Sequence, residues 1–575
     1  MNRRGNPFAL LIFFLLVTAV FLQIKIYNKC QRFENDLNRF MSSGEGEALS
    51  EKNNTSDSEK LSEKDEGDWL VWGYRQEPRT LNMINNDRDI YTKWITTPCI
   101  FEPLLEYDYD SMKLKPRLAE SYEISQDGLV VTFRLRDDIY FSDGVPVTAD
   151  DVIFTFNTVM DPGVDAASIA SMFIDVDKVV PVDKKTVRFF MKRPFFKTLD
   201  NLSFEDVGIY PRHIYQFDDP AKFNERNSDP VGSGPYIFEK WDVGNEIVLR
   251  RNENYWGTKP KIKKVVYKFI SNTVACLQAL RTGQVDIMIP EPDQFAELDS
   301  DRDFKKRFYY LKYYEPRAPF FFIGWNIDTP YFSDRRVRLA MTHIVDRKKI
   351  IAHLLRGAGR IVTGMFYSES GQNDPDIKPW PYDPERAKEL LDEAGWTDHD
   401  GDGIRDRDGI PFRFKFMYNS STTLYTRLLK LIKDDGARIG IDVVADPYEW
   451  SVLLPRLSDR KFDAMVMGWG GEMIDDPYQL FHSSQIKNRA SNYVGFNDPE
   501  ADRLIEEARM TLDEDKRNRI FQKIHLILHE EQPYTFLFER PYMRLLDRRF
   551  KNVKIHRLGL DWLEWYVPKE LQKYK

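Results

Sequence analysis

Cysteine is scarce in this chain, three in 575 residues. That is too few for a disulfide-dense scaffold, and no C-x-x-C pair is present to hold a structural zinc. An excess of basic residues is missing too. Lys and Arg number 83 against 91 Asp and Glu, for a formal charge of −8. A nucleic-acid binder usually carries a basic domain or stripe, so no nucleic-acid partner is expected. The common reaction motifs are likewise absent: no G-x-S-x-G, no P-loop, no H-E-x-x-H and no complete G-x-G-x-x-G. Gly357-Ala-Gly359 is followed by Gly364 rather than by a correctly spaced third glycine, and reads as a loop. These gaps argue against an enzyme and against a required cofactor. Past residue 27 no apolar run approaches the roughly 20 residues that span a bilayer, and no repeat of fixed period recurs.

The chain is long enough, at about 150 residues per domain, for three or four domains. It carries 39 Phe, 28 Tyr and 12 Trp, a generous supply for cores and pocket walls. Arg3 and Arg4 precede an apolar run, Pro7 to Leu22, interrupted by Thr18, which together form an export signal. Small residues at a cleavage site are lacking, and Cys30 lacks the small apolar residues that precede a lipoprotein cysteine. Residues 7–26 just reach a membrane span, so residues 1–27 are expected to stay as an anchor, with a removed signal peptide as the alternative. Either way the remainder is extracytoplasmic. Residues 42–67 contain no aromatic residue and only Leu49 and Leu61 among the large aliphatics, so residues 28–67 read as a flexible tether.

From Asp68 onward, strand and helix signals alternate irregularly. Leu129, Val131, Phe133 and Leu135 share one face of a strand that follows an Asp127-Gly128 turn. Thr148-Ala-Asp-Asp151 is a capping box opening a helix through Val159, stopped by Asp161-Pro162-Gly163. Ser333 is expected to cap a helix running to Val345. Asp383-Pro384 opens a helix that Gly395 closes, and Asp498-Pro499 repeats the opening. Ile520, Ile524 and Ile527 mark a last long helix, followed by the strand Tyr534–Phe538. The pattern is mixed α/β with more than one lobe.

Three places offer site chemistry. Gly468-Trp-Gly-Gly-Glu-Met-Ile-Asp-Asp-Pro477 follows a buried strand; Trp469 supplies an aromatic wall, the glycines, Gly470 among them, allow close backbone approach, and Glu472, Asp475 and Asp476 supply negative charge. It reads either as a pocket for a ligand bearing an amine or as an ordinary strand-to-helix turn. Asp398, Asp400 and Asp402 alternate before Gly403, with Asp406 at the ninth position, a spacing that suits Ca²⁺. Gly409, however, stands where a bidentate carboxylate should complete the shell. A tight Asp-Gly turn is the competing reading, and an ion there would brace the loop rather than do chemistry. His525 and His529 lie four apart on a helix; without a third ligand they are expected to form a solvated or interface pair.

From about Leu70 to Tyr566 the chain resembles the dipeptide and oligopeptide solute-binding proteins that feed ABC importers. The resemblance rests on ordered landmarks: Lys115-Pro-Arg-Leu-Ala-Glu-Ser-Tyr122, Thr132-Phe-Arg-Leu-Arg136, Phe141-Ser-Asp-Gly144, Thr148-Ala-Asp-Asp-Val152, Val231-Gly-Ser-Gly-Pro-Tyr236, Arg251-Asn-Glu-Asn-Tyr-Trp256, Gly283-Gln-Val-Asp286, Asp334-Arg-Arg-Val-Arg338 and Asp346-Arg-Lys-Lys-Ile350. It implies a two-lobed periplasmic-binding-protein fold, type II-like with an extra inserted domain, of mixed sheets with helices packed on them. Lobe I would comprise residues 68–85, 201–310 and 536–575, inserted domain II residues 86–200, and lobe III residues 311–535. The implied ligand is a peptide held in a closing cleft, the implied partners are ABC importer permease subunits, and the implied state is a monomer. Relatives on this scaffold also take nickel chelates or oligosaccharides, and a non-transport receptor or scaffold is a further alternative. In peptide-binding relatives an aspartate after the Gly-Trp turn pairs with the ligand's amino group. Here Glu472 stands nearest, with one extra residue before Asp476-Pro477, so Glu472 and Asp475 are rival anchors. The resemblance also places Tyr91 and Trp94 where the inserted domain meets ligand.

Overall fold

The computed structural model describes residues 65–97, 99–487 and 490–574. The expected anchor at residues 7–26 and nearly all of the tether lie outside them. No helix among the described residues is long and apolar enough to cross a membrane.

Three main sheets organise the chain. The first has seven strands in the spatial order Phe308–Tyr313, Tyr542–Asp547, Ile287–Met288, Trp69–Tyr74, Lys264–Phe269, Glu246–Arg251 and Tyr236–Asp242. Its central strand Trp69–Tyr74 is parallel to both neighbours. Leu70 faces one apolar core and Val71 another, which is why this segment is apolar throughout rather than alternating. The second sheet runs Arg360–Ile361, Tyr534–Glu539, Phe320–Trp325, Ala464–Trp469, Arg413–Asn419 and Asp442–Tyr448. Here Ile323 and Trp325 enter one core while Phe320 and Phe322 enter the opposite one, the period-two consequence of a strand covered on both faces.

The third sheet, in the order Ala119–Ile124, Val130–Leu135, Thr186–Met191 and Val176–Pro181, is antiparallel and lies within the segment 86–200. Val131, Phe133 and Leu135 are buried, while Val130, Thr132 and Arg134 between them are not. The helix Ala149–Met160 opens with the expected capping box of Thr148 and Asp151. The core of this sheet is continuous with that of the first, since Phe133 and Leu70 belong to one cluster.

The chain crosses between the first and second sheets through residues 314–319 and returns through Arg540-Pro541. Boundaries drawn at 310/311 and 535/536 therefore cut two strands. Phe308–Tyr313 belongs whole to the first sheet and Tyr534–Glu539 whole to the second. The run Tyr534–Phe538 is apolar enough to suit either lobe, so its partner strands decide the assignment.

Helix punctuation follows local rules closely. Asp383 and Asp498 cap helices Pro384–Glu393 and Pro499–Met510, each with proline in the first turn. Gly395 takes φ +80° beyond the first of these. Asp334, not Ser333, caps the helix Arg335–His343, its carboxylate accepting from the Arg336 amide.

A buried charge cluster ties segments of the first sheet that are far apart in sequence. Arg549 pairs with Asp68 and, at 2.7 Å, with Asp286, all three side chains being almost wholly buried. Lys573 adds contacts of 3.0 Å to Asp286 and 3.2 Å to Asp547.

Candidate functional site

The strand Ala464–Trp469 delivers the Gly468–Pro477 loop to the place where the chain crosses between sheets. Gly471 is the close-approach glycine: a Cβ there would strike the carbonyl oxygens of Pro316 and Ala318 in the crossing segment. Its neighbour Gly470 is exposed and has open space on its Cβ side. Trp469 is half-buried and stacks on Tyr493 at 5.9 Å with the rings 21° apart.

The segment that follows the third sheet reaches this loop through residues 193–197. The Phe196 amide donates to the Arg509 carbonyl at 2.9 Å. Phe195 and Phe196 both enter the core on one face of the second sheet. The Arg509 guanidinium lies 4.9 Å from the Phe195 ring centre, and Arg517 lies 5.1 Å from that of Phe196. This docking aims the next residue, Lys197, at Glu472, with which it forms an ion pair across 275 residues of chain. The Lys197 side chain is only 11% exposed, whereas that of Glu472 is 58% exposed. Burial works against the Lys197 ammonium, but Glu472 and Asp200, the latter 3.8 Å away, outweigh it and hold the lysine above its ordinary range.

The rival anchor behaves differently. Asp475 is buried, and Gln372 grips its backbone on both sides: its amide donates to the Gln372 side-chain oxygen at 2.9 Å, and its carbonyl accepts from the Gln372 side-chain amide at 2.7 Å. Its carboxyl accepts from the Glu472 amide at 3.3 Å. Burial, reinforced by the Glu472 charge, pushes Asp475 up to about 7. The third acid, Asp476, is held by Arg509 at 3.0 Å.

A second set of charges lines the crossing. Arg317 makes two hydrogen bonds to Glu205, at 2.6 and 2.7 Å, and its guanidinium lies 5.8 Å from the Tyr107 ring centre. Lys93 pairs with Asp206. The helix Ile90–Thr96 that carries Lys93 also carries Tyr91 and Trp94, half-buried and edge-on to each other at 5.6 Å. Tyr74 contacts both rings, at 5.4 and 5.8 Å, and the Arg544 guanidinium lies 5.8 Å from the Trp94 ring centre. Lys197, Arg317 and Gln372 were not singled out in the sequence. Their partners lie 275, 112 and 103 residues away, beyond the reach of any local pattern.

The other candidates separate clearly. Asp398, Asp400 and Asp402 are exposed and bring carboxylate oxygens within 4.8 Å of one another, close enough to share a cation. Asp406 does not join them; it is committed to His399, whose amide and ring lie 3.0 and 2.9 Å from its carboxylate. The loop is also braced internally, since Asp398 accepts from the Gly401 and Gly403 amides at 2.8 and 3.0 Å. His525 and His529 are buried rather than solvated. His525 sits between Thr363 and the Asp374 amide, while His529 stacks on Trp380 at 5.2 Å. Burial pushes both down to about 4, so they are neutral core residues.

Two α/β lobes built on mixed sheets, joined by two short crossings with a charged and aromatic site beside them, define a two-lobed solute-binding protein of the periplasmic type. The family model described as "Bacterial extracellular solute-binding proteins, family 5 Middle" matches residues 113–525, and the chain belongs to that family. It is 30% identical over 517 residues to the oligopeptide-binding protein AppA of Bacillus subtilis, covering 88% of this chain and 92% of that one. It is 29% identical over 446 residues to the nickel-binding periplasmic protein of Escherichia coli, covering 76% and 82%. The solved structure of Bacillus subtilis AppA with a nonapeptide superposes with a TM-score of 0.72 at 28% identity, covering 88% of this chain and 99% of that one.

Proposed function

We propose that this protein binds peptides, from dipeptides to oligopeptides, in the cleft beside its two crossings and delivers them to an ABC importer. The observation that carries this reading is near end-to-end similarity to an oligopeptide-binding protein whose structure holds a nonapeptide. The chemistry agrees with it. Exposed backbone at Gly470 beside the half-buried Trp469 suits main-chain hydrogen bonding with loosely accommodated side chains. Two lobes joined by two short crossings suit hinge closure around a ligand. The protein acts as an extracytoplasmic monomer, anchored by residues 7–26, and needs no catalytic group or cofactor.

Thermal denaturation of the purified chain, stripped of ligand by mild unfolding, tests this. Peptides at 100 times their dissociation constant add about 2.7 kcal/mol and raise the melting temperature. Silence towards every peptide, with a shift from nickel chelates or oligosaccharides, would keep the fold and replace the ligand.

A further inference from the structure

The acidic loop offers almost no free negative charge to a ligand. Of its three carboxylates, Asp476 is paired with Arg509, Asp475 is enclosed by its own loop and Gln372, and Glu472 is paired with Lys197. Glu472 alone is exposed, and its cation comes from a segment 275 residues away that is docked beside the loop through Phe195 and Phe196. The backbone beside it, at Gly470, faces open space.

We infer that Lys197 is a specificity-determining residue: its ammonium occupies the cation position of Glu472, so the cleft favours peptide-like ligands whose amino end is blocked or uncharged. This deepens the peptide-binding reading and rests on it. A ligand ammonium arriving at Glu472 must either expel Lys197 or share the carboxylate with it; the Lys197 side chain is 11% exposed and its other ion-pair partner is Asp200, at 3.8 Å. Stranding a buried charge is costly, and two ammonium groups sharing one carboxylate repel each other. Phe195 and Phe196, set in the core on one face of the second sheet, hold the lysine backbone in place and keep it from swinging clear. A ligand without an ammonium leaves the pair intact and meets a neutral wall. Methionine at position 197 keeps most of the aliphatic length and removes the charge, which opens Glu472 to an incoming amine.

Isothermal titration with a set of tripeptides, each with a free amine and in N-acetylated form, tests this on the full chain. The wild type is expected to bind the acetylated form at least as tightly as the free one. Lys197→Met should move the ratio of affinities at least tenfold towards the free amine, with Lys197→Gln moving it the same way. The wild-type ratio stands even if a variant folds poorly. A wild-type preference for the free amine, or a ratio unmoved in both variants, overturns the role of Lys197 and leaves peptide binding in place. Failure of both forms to bind the wild type and the variants overturns the peptide reading, and this inference with it.

Discussion

Replacing Asp475 by asparagine removes a carboxyl that the fold keeps protonated near neutral pH, and the size of the effect follows from its surroundings. The side chain is buried, and burial plus the Glu472 charge push its pKa from 3.8 up to about 7. In the unfolded chain the group ionises above about pH 4. The native state resists ionisation until about 7, so stability is lost as pH rises between those values and levels off above them. At about 1.4 kcal/mol per pH unit, the gap corresponds to about 4 kcal/mol at pH 8 as an upper bound, and to roughly 2 kcal/mol at pH 5. Asparagine preserves an oxygen for the Glu472 amide, 3.3 Å away, and escapes the penalty. It sacrifices one acceptor, because the Tyr367 amide also bonds the Asp475 carboxyl, at a pH-independent cost of about 1–3 kcal/mol. Urea unfolding of both proteins at pH 5 and pH 8 should therefore show the variant gaining about 2–3 kcal/mol on the wild type between the two conditions. A stability difference between Asp475→Asn and the wild type that is the same at both pH values refutes the reasoning, whatever its sign.

Three further outcomes are expected. Gly471→Ala forces a methyl against the Pro316 and Ala318 carbonyls, which should cost about 1–3 kcal/mol by urea unfolding and weaken ligand binding at least tenfold; unchanged affinity would show that the loop and crossing separate freely. Arg549→Met leaves Asp68 and Asp286 buried without their main cation, and a loss of about 3–5 kcal/mol in chemical denaturation is expected; a loss under 1 kcal/mol would mean that Lys573 alone suffices. If Asp398, Asp400 and Asp402 hold Ca²⁺ with a dissociation constant near 1 mM, 10 mM Ca²⁺ should add about 1.4 kcal/mol, reversed by chelator and abolished by Asp400→Asn. Indifference of the melting temperature to Ca²⁺ would leave the loop to its internal turns.

What the sequence disclosed was mostly local. Caps such as Asp383 and Asp498, the Gly395 stop and the alternation through Val131, Phe133 and Leu135 are written within a few residues of the structures they specify, and the structure carries all of them. The lobe boundaries were less visible because a run such as Tyr534–Phe538 is equally apolar whichever sheet receives it. The candidate loop was legible only as a group of residues. Trp469, Glu472 and Asp475 were recognisable as a group of unusual chemistry on one loop. Their differing fates were not, because Lys197 selects Glu472 and Gln372 encloses Asp475 from more than 100 residues away. His525 and His529 show the converse error: helical spacing puts them on one face, and only the packing of Trp380 and Thr363 reveals that face as core.

The Arg549 cluster also sets a clock. Asp68 and Arg549 are 481 residues apart, whereas every strand of the second sheet lies between residues 320 and 539. A ribosome adding about 5–20 residues per second needs on the order of 25–100 s to travel from one partner to the other. Through that interval Asp68 and Asp286 have no Arg549; Trp69–Tyr74 can pair with Lys264–Phe269 and Ile287–Met288 as soon as these are made, but the sheet ends at Ile287–Met288 until Tyr542–Asp547 exists. The second sheet can be completed before the first, although the first begins the body of the chain. A stop codon just before Arg549 would remove the cation that neutralises Asp68 and Asp286, so a loss among the newest residues would be felt by the oldest strand of the body.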